Sequence, residues 1–199
     1  MSSPKRILIL HGWTNRRQVG VWHRILASNL RRAGHQVIYP QFPNTDNPVL
    51  SEWQELLEAE LGHLAEAGDG ETVVVAHSLG CINWMQAAVA KLVSEPVDRL
   101  LLVAPADPKL LGDVPGVELD LNKKRVVEAV KASARSVTLV ASDADPWIPD
   151  GIVKTFGKHL EIDPIVMPGA AHISLKDGWG HWQGVIDWVN DPGADITVR

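Results

Sequence analysis

Six short apolar runs alternate along this chain with longer segments whose apolar residues recur every three or four positions. Runs too short for helices and too continuous to face water on one side read as strands buried on both faces. The segments between them read as the helices that cover those faces. The runs fall at residues 6–10, 36–39, 72–76, 99–103, 136–141 and 162–167. One arrangement uses them all: an α/β three-layer sandwich around a six-stranded parallel sheet. Pro164 lies in the last run and would remove a ladder hydrogen bond from a central strand, so that run is expected at an edge.

The first intervening helix carries Trp22, Ile25, Leu26, Leu30 and Ala33 on one side and stops at Gly34. The second opens with Ser51-Glu52-Trp53-Gln54, which reads as a capping box, and then shows Leu56, Leu57, Leu61 and Leu64 on one face. A third follows Ser78, and weaker helical patterns cover residues 123–132 and 151–159. The last places Trp182, Val185, Ile186 and Val189 together before Asp191-Pro192 ends it. With no repeat, no low-complexity linker and only a short polar tail at 191–199, residues 1–199 read as one domain.

At 199 residues and 45% hydrophobic composition, the chain can bury a core without a metal or a disulfide. A net charge of -5 with no Lys/Arg-rich run argues against nucleic acid, whose binding depends on neutralising phosphates. The apolar run from Ile7 is too short for a signal-peptide core or a membrane span. A single cysteine, Cys81, agrees with a reducing compartment, so a cytoplasmic protein is expected. Cys81 itself reads as a small packed helix residue. Of the tryptophans, Trp22, Trp53, Trp84 and Trp188 fall in core patterns. Trp13, Trp147 and Trp179 lie near loops, where they are candidate pocket walls.

The run at 72–76 turns into a helix through Ala76-His77-Ser78-Leu79-Gly80. Small residues two before and two after a serine let strand and helix approach closely around a strained backbone, the pattern of a nucleophile elbow. A serine hydroxyl is a weak nucleophile near neutral pH; it needs a base within reach and a third group to orient that base. Two later runs supply candidates in the order acid, then base. The run at 136–141 leads into Ser142-Asp143-Ala144-Asp145-Pro146-Trp147, and the run at 162–167 leads into Pro168-Gly169-Ala170-Ala171-His172.

Asp145 is favoured as the acid because Pro146 fixes an extended approach; Asp143 reads as a carboxylate closing the loop's own turn. His172 is favoured as the base. His159 and His181 lie at helix ends, His77 is expected to point away from the serine, and His23, His35 and His63 read as surface histidines. For the oxyanion, Leu79 N–H is one expected donor and Trp13 or Gly12 N–H the other, with His11 orienting their loop. No metal-ligand spacing, no Gly-x-Gly-x-x-Gly and no phosphate-binding Gly-x-x-x-x-Gly-Lys is present, so no metal and no cofactor is expected.

With Ala76 to Cys81 at the elbow, Ser142 to Pro149 at the acid and Gly169 to His172 at the base, the chain resembles a known family over nearly its whole length. These are the small α/β-hydrolases grouped with retinoblastoma-binding protein nine and the YdeN-type bacterial proteins. The resemblance implies the α/β-hydrolase fold, with Ser78 as nucleophile, Asp145 as acid and His172 as base. One departure is His11-Gly12-Trp13, which matches the general His-Gly hydrolase loop rather than a glycine-rich variant.

The expected function is a carboxylesterase-like serine hydrolase whose partner is a small-molecule ester, with no nucleic acid and no membrane; the residues do not set an oligomeric state. An amidase or peptidase uses the same triad, and one relative's name records protein binding, so an amide-cleaving enzyme and a weakly active binding module are the rival readings. In this fold a lid is inserted after the fourth strand. Residues 104–122 are short and proline-rich there, so no large lid is expected. The site should be open, suited to short acyl groups, with Trp13, Trp147 and Leu110 or Leu111 as walls.

Overall fold

Val73, Val74 and Val75 have no solvent exposure on either face of their strand, and their burial sets the layering of the whole molecule. The computed structural model describes residues 3–199. Its strands are β1 (Arg6–Leu10), β2 (Gln36–Ile38), β3 (Thr72–His77), β4 (Val97–Val103), β5 (Ala134–Ser142) and β6 (Ile165–Met167). All pair in parallel, in the order β2-β1-β3-β4-β5-β6. Parallel pairing demands a crossover between successive strands, and helices supply it: α1 (Trp22–Arg32), α2 (Leu50–Glu66), α3 (Leu79–Val89), α4 (Lys124–Ala132) and α5 (Lys158–Leu160), while α6 (Gln183–Asn190) follows the last strand.

Alternation along the strands divides the core in two. Leu8, Leu10, Val74, Ala76, Leu100 and Leu102 pack with residues of α2, α3 and α4. Ile7, Ile9, Val73, Val75, Leu101 and Val103 pack with residues of α1 and α6. The sheet is therefore covered on both faces, as the continuous apolar runs predict. Its outer strands are the least buried. Pro164 lies just before β6, which is an edge strand, so the proline costs no central ladder bond.

Several details differ from the sequence reading. Strand β4 starts two residues early, because Val97 already pairs with Ala134 of β5; within it, buried Arg99 pairs with Glu71 and donates to the carbonyl oxygens of Trp188 and Val189 at 2.7 and 2.6 Å. That guanidinium, stacked over Trp188, anchors the C-terminal end of α6 to the sheet. No capping box starts α2. Its flanking residue is Val49, which makes no side-chain cap, and Leu50 N–H instead donates to Pro115 carbonyl at 2.9 Å. The helical pattern near residue 155 forms a π-helical turn, Val153–Gly157, that runs into α5.

The segment expected as a polar tail folds back on α6. Gly184 N–H donates to Val198 carbonyl at 2.8 Å, Trp182 Nε1–H donates to Ile196 carbonyl at 2.7 Å, and Ile196 is buried. His35, expected at the surface, is buried as well. It accepts from Lys5 N–H through Nδ1 and donates to Asn190 through Nε2, joining β1 to α6. Among the described residues, no helix is long and apolar enough to cross a membrane.

Between β4 and α4 the chain makes only a short 3-10 turn, Pro108–Leu110, and irregular loops, so no large lid covers the top of the sheet. Burial of the terminal segment makes a specific claim about stability. Ile196→Ala is expected to cost about 2 kcal/mol or more, the usual loss for emptying a buried aliphatic site, read as a lower denaturation midpoint in urea.

Candidate active site

The strand order creates the site. After β1 the chain moves to β2 on one side and then returns to β3 on the other, so the carboxyl ends of β1 and β3 diverge and leave a crevice between their loops. Ser78 stands at that end of β3, with φ 54° and ψ -123°. Such a backbone is strained for a residue with a side chain and persists only where its surroundings over-determine it. The constraint is visible in the neighbouring glycines. A Cβ at Gly80 would lie 2.7 Å from the carbonyl oxygens of Leu10 and His11, and one at Gly12 would lie 2.7 Å from the Cβ of Ser78.

His172 and Asp145 reach the same crevice from the loops after β6 and β5. Ser78 Oγ donates to His172 Nε2 at 2.8 Å, and His172 Nδ1–H donates to Asp145, whose two carboxylate oxygens each lie 2.9 Å away. Trp147 N–H also donates to Asp145 Oδ1 at 2.9 Å, which fixes the carboxylate in its loop. The three residues that the sequence reading selected are thus in one hydrogen-bonded line. Asp143 does not join them. Its Oδ1 accepts from Gly169 N–H at 2.8 Å, so it ties the acid loop to the base loop; the turn expected to need it is closed by Ser142 Oγ, which accepts from Ala144 N–H.

Leu79 is the first residue of α3, where an N–H has no acceptor within the helix. Gly12 and Trp13 occupy the facing loop. His11 orients it as expected: Phe42 N–H donates to Nε2 at 3.0 Å, which leaves Nδ1–H to donate to Gly12 carbonyl at 2.9 Å. Trp13 is pinned at its far end by a bond from Nε1–H to Asp46 carbonyl at 3.1 Å.

A cavity of about 500 Å³ opens on Ser78 and His172. Trp13, Trp147, Leu79, Ala106 and Leu111 line one side of it. Leu110, the other wall candidate, is 44% exposed and outside the lining, because the 3-10 turn points it into solvent. Trp179 is not a wall either: it is buried with Trp182 and donates to Ala170 carbonyl at 3.0 Å. Cys81 is buried, and burial pushes its thiol far above the ordinary range, as suits an unreactive packing residue. Among the described residues, no three His, Cys, Asp or Glu side chains cluster so as to hold a metal ion.

A model of the serine hydrolase family matches residues 7–191. No curated protein matches the chain. Among solved structures, the ydeN gene product of B. subtilis superposes with a TM-score of 0.75 at 19% identity, covering 94% of this chain and 97% of its own. A YdeN-like protein from Pectobacterium atrosepticum gives 0.69 at 17% identity, with 98% and 94% covered. Monoacylglycerol lipase from Paleococcus ferrophilus gives 0.61 at 14% identity, with 94% and 95% covered. At these identities the likeness is one of fold, and that fold is the α/β-hydrolase.

Three histidines around the crevice are buried: His11, His23 and His77. His23 corrects the expectation of a surface residue. It lies under the crevice, stacked on Trp22 at 3.6 Å between ring centroids. Burial pushes His11 down to about 4 and His77 down to about 3, and burial, with the adjoining His77 and His11 rings, lowers His23 well below the ordinary imidazole range. All three stay neutral in the folded chain through mildly acidic pH, whereas in the unfolded chain they protonate near 6.5. Stability from this source is complete above about pH 6.5. It falls as pH drops below that value, because only the unfolded state gains protons, by about 1.4 kcal/mol per pH unit for each group. Urea unfolding at about pH 5 should therefore give a free energy several kcal/mol below that at about pH 7, and His11→Gln should remove roughly a third of the difference.

Proposed function

Because the chain belongs to the serine hydrolase family, we propose that it is a carboxylesterase-like enzyme that cleaves small esters through Ser78, His172 and Asp145. The observation that carries the reading is the line of bonds from Ser78 Oγ through the His172 ring to the buried Asp145 carboxylate. A carboxylate on Nδ1–H holds the imidazole in the tautomer whose Nε2 accepts a proton, and stabilises the imidazolium once formed.

In this reaction His172 takes the proton of Ser78 as Oγ attacks the ester carbonyl. The oxyanion is met by the N–H of Leu79, at the start of α3, and that of Trp13, on the loop after β1. His172 then returns the proton to the departing alcohol, and water activated by the same ring releases the acyl group from Ser78. Support for an ester substrate comes from the apolar side of the cavity and from a structural neighbour named as a monoacylglycerol lipase. The cavity of about 500 Å³ has no lid to wrap a long chain, which favours short acyl groups.

A fluorophosphonate probe is expected to label the protein at Ser78 and to leave Ser78→Ala unlabelled. On a short-chain p-nitrophenyl ester, Ser78→Ala should lose on the order of 10⁶ in kcat and Asp145→Asn about 10⁴. A Ser78→Ala protein that keeps most of its activity would refute the assignment. Across a series of acyl lengths, kcat/KM should peak among short chains; a clear preference for long chains overturns the substrate reading, and selective cleavage of matched amides replaces it with an amidase.

A further inference from the structure

The base of the proposed reaction sits in an improbable loop. His172 lies between Ala171 at φ 49° and Ile173 at φ 51°, two left-handed positions held by residues with side chains, one of them β-branched. Each costs of the order of 1 kcal/mol or more unless neighbours hold it. Ring N–H groups hold this loop at its carbonyl oxygens. Trp179 Nε1–H donates to Ala170 at 3.0 Å, Trp22 Nε1–H to Ile173 at 2.9 Å, and His77 Nε2–H to His172 itself at 2.9 Å.

His77 differs from the two tryptophans. It immediately precedes Ser78 on β3, the strand that lies between β1 and β4 in the sheet. As expected from strand alternation, its side chain leaves on the face opposite Ala76, yet on that face it meets the base loop rather than plain core. Its ring is held edge-on against Trp22 at 5.7 Å and His23 at 5.0 Å, which leaves it little room to turn.

We propose that His77 is a positioning residue: it clamps the His172 backbone to the nucleophile's own strand and so sets the approach of the His172 ring to Ser78 Oγ. This rests on the hydrolase reading given above. The alignment of base and nucleophile then depends on two adjacent residues of one strand, His77 for the backbone of the base and Ser78 for its ring. A carbonyl acceptor requires Nε2–H on His77, and burial pushes the pKa of this ring down to about 3.

The test compares His77→Leu, which removes the donor, with His77→Gln, whose side-chain amide can place an N–H near the position of Nε2. Fluorophosphonate titration counts competent sites in each preparation, so that misfolded protein drops out, and turnover is expressed per titrated site. His77→Leu is expected to lose about 10²-fold in kcat, the scale of a displacement of about 1 Å at a reacting group, with KM on a short ester nearly unchanged. His77→Gln should recover most of that loss. A His77→Leu protein with wild-type kcat per site, or a His77→Gln protein as impaired as His77→Leu, overturns the role of His77 while leaving the hydrolase reading intact. Failure of the wild-type protein to label at Ser78 overturns both.

Discussion

The structure depends on one close approach, that of the start of α3 to the end of β1. The Gly80 backbone sits against the carbonyl oxygens of Leu10 and His11 with no space for a side chain, and Gly12 meets Ser78 in the same way. This contact holds Ser78 in its strained conformation against Gly12, and Ser78, Leu79 and Trp13 border one cavity. Strain of this kind survives because the surrounding parallel sheet is rigid and buried on both faces. Ser78 N–H donates to Val103 carbonyl at 3.0 Å, so even the strained residue continues the hydrogen bonding of β3 with β4.

The two faces of the sheet contribute differently to the site. The face covered by α2, α3 and α4 supplies apolar walls, where Leu79, Ala106 and Leu111 adjoin Trp13 and Trp147. The face covered by α1 and α6 supplies ring N–H donors and buried imidazoles that support the loop of His172 from beneath. Buried imidazoles are a costly foundation. In mild acid they remain neutral only because the fold is intact, and that links acid stability to the same residues that shape the crevice.

Much of this was legible along the chain. Continuous Val, Ile and Leu runs required a parallel sheet covered on both faces, and the serine between small residues marked the turn from β3 into α3. The alternatives left open were settled by partners far away in sequence. Asp145 rather than Asp143 faces His172 because Gly169 N–H occupies Asp143. Leu111 rather than Leu110 lines the cavity because a 3-10 turn rotates one inward and the other out. The start of α2 was misread because a carbonyl of Pro115, not a nearby side chain, receives its first N–H.

The histidines draw the division most sharply. Local pattern reads His23 and His35 as surface residues and says of His77 only that it points away from the serine, since no spacing records what will pack on an imidazole from another part of the chain. Periodicity and short-range sterics are properties of neighbouring residues, and they determined the strands, the helices and the elbow. Burial, tautomer and hydrogen-bond partner are properties of the assembled sheet. Only the tertiary structure decided that His77 would meet the carbonyl of His172 and that residues 191–199 would close over α6.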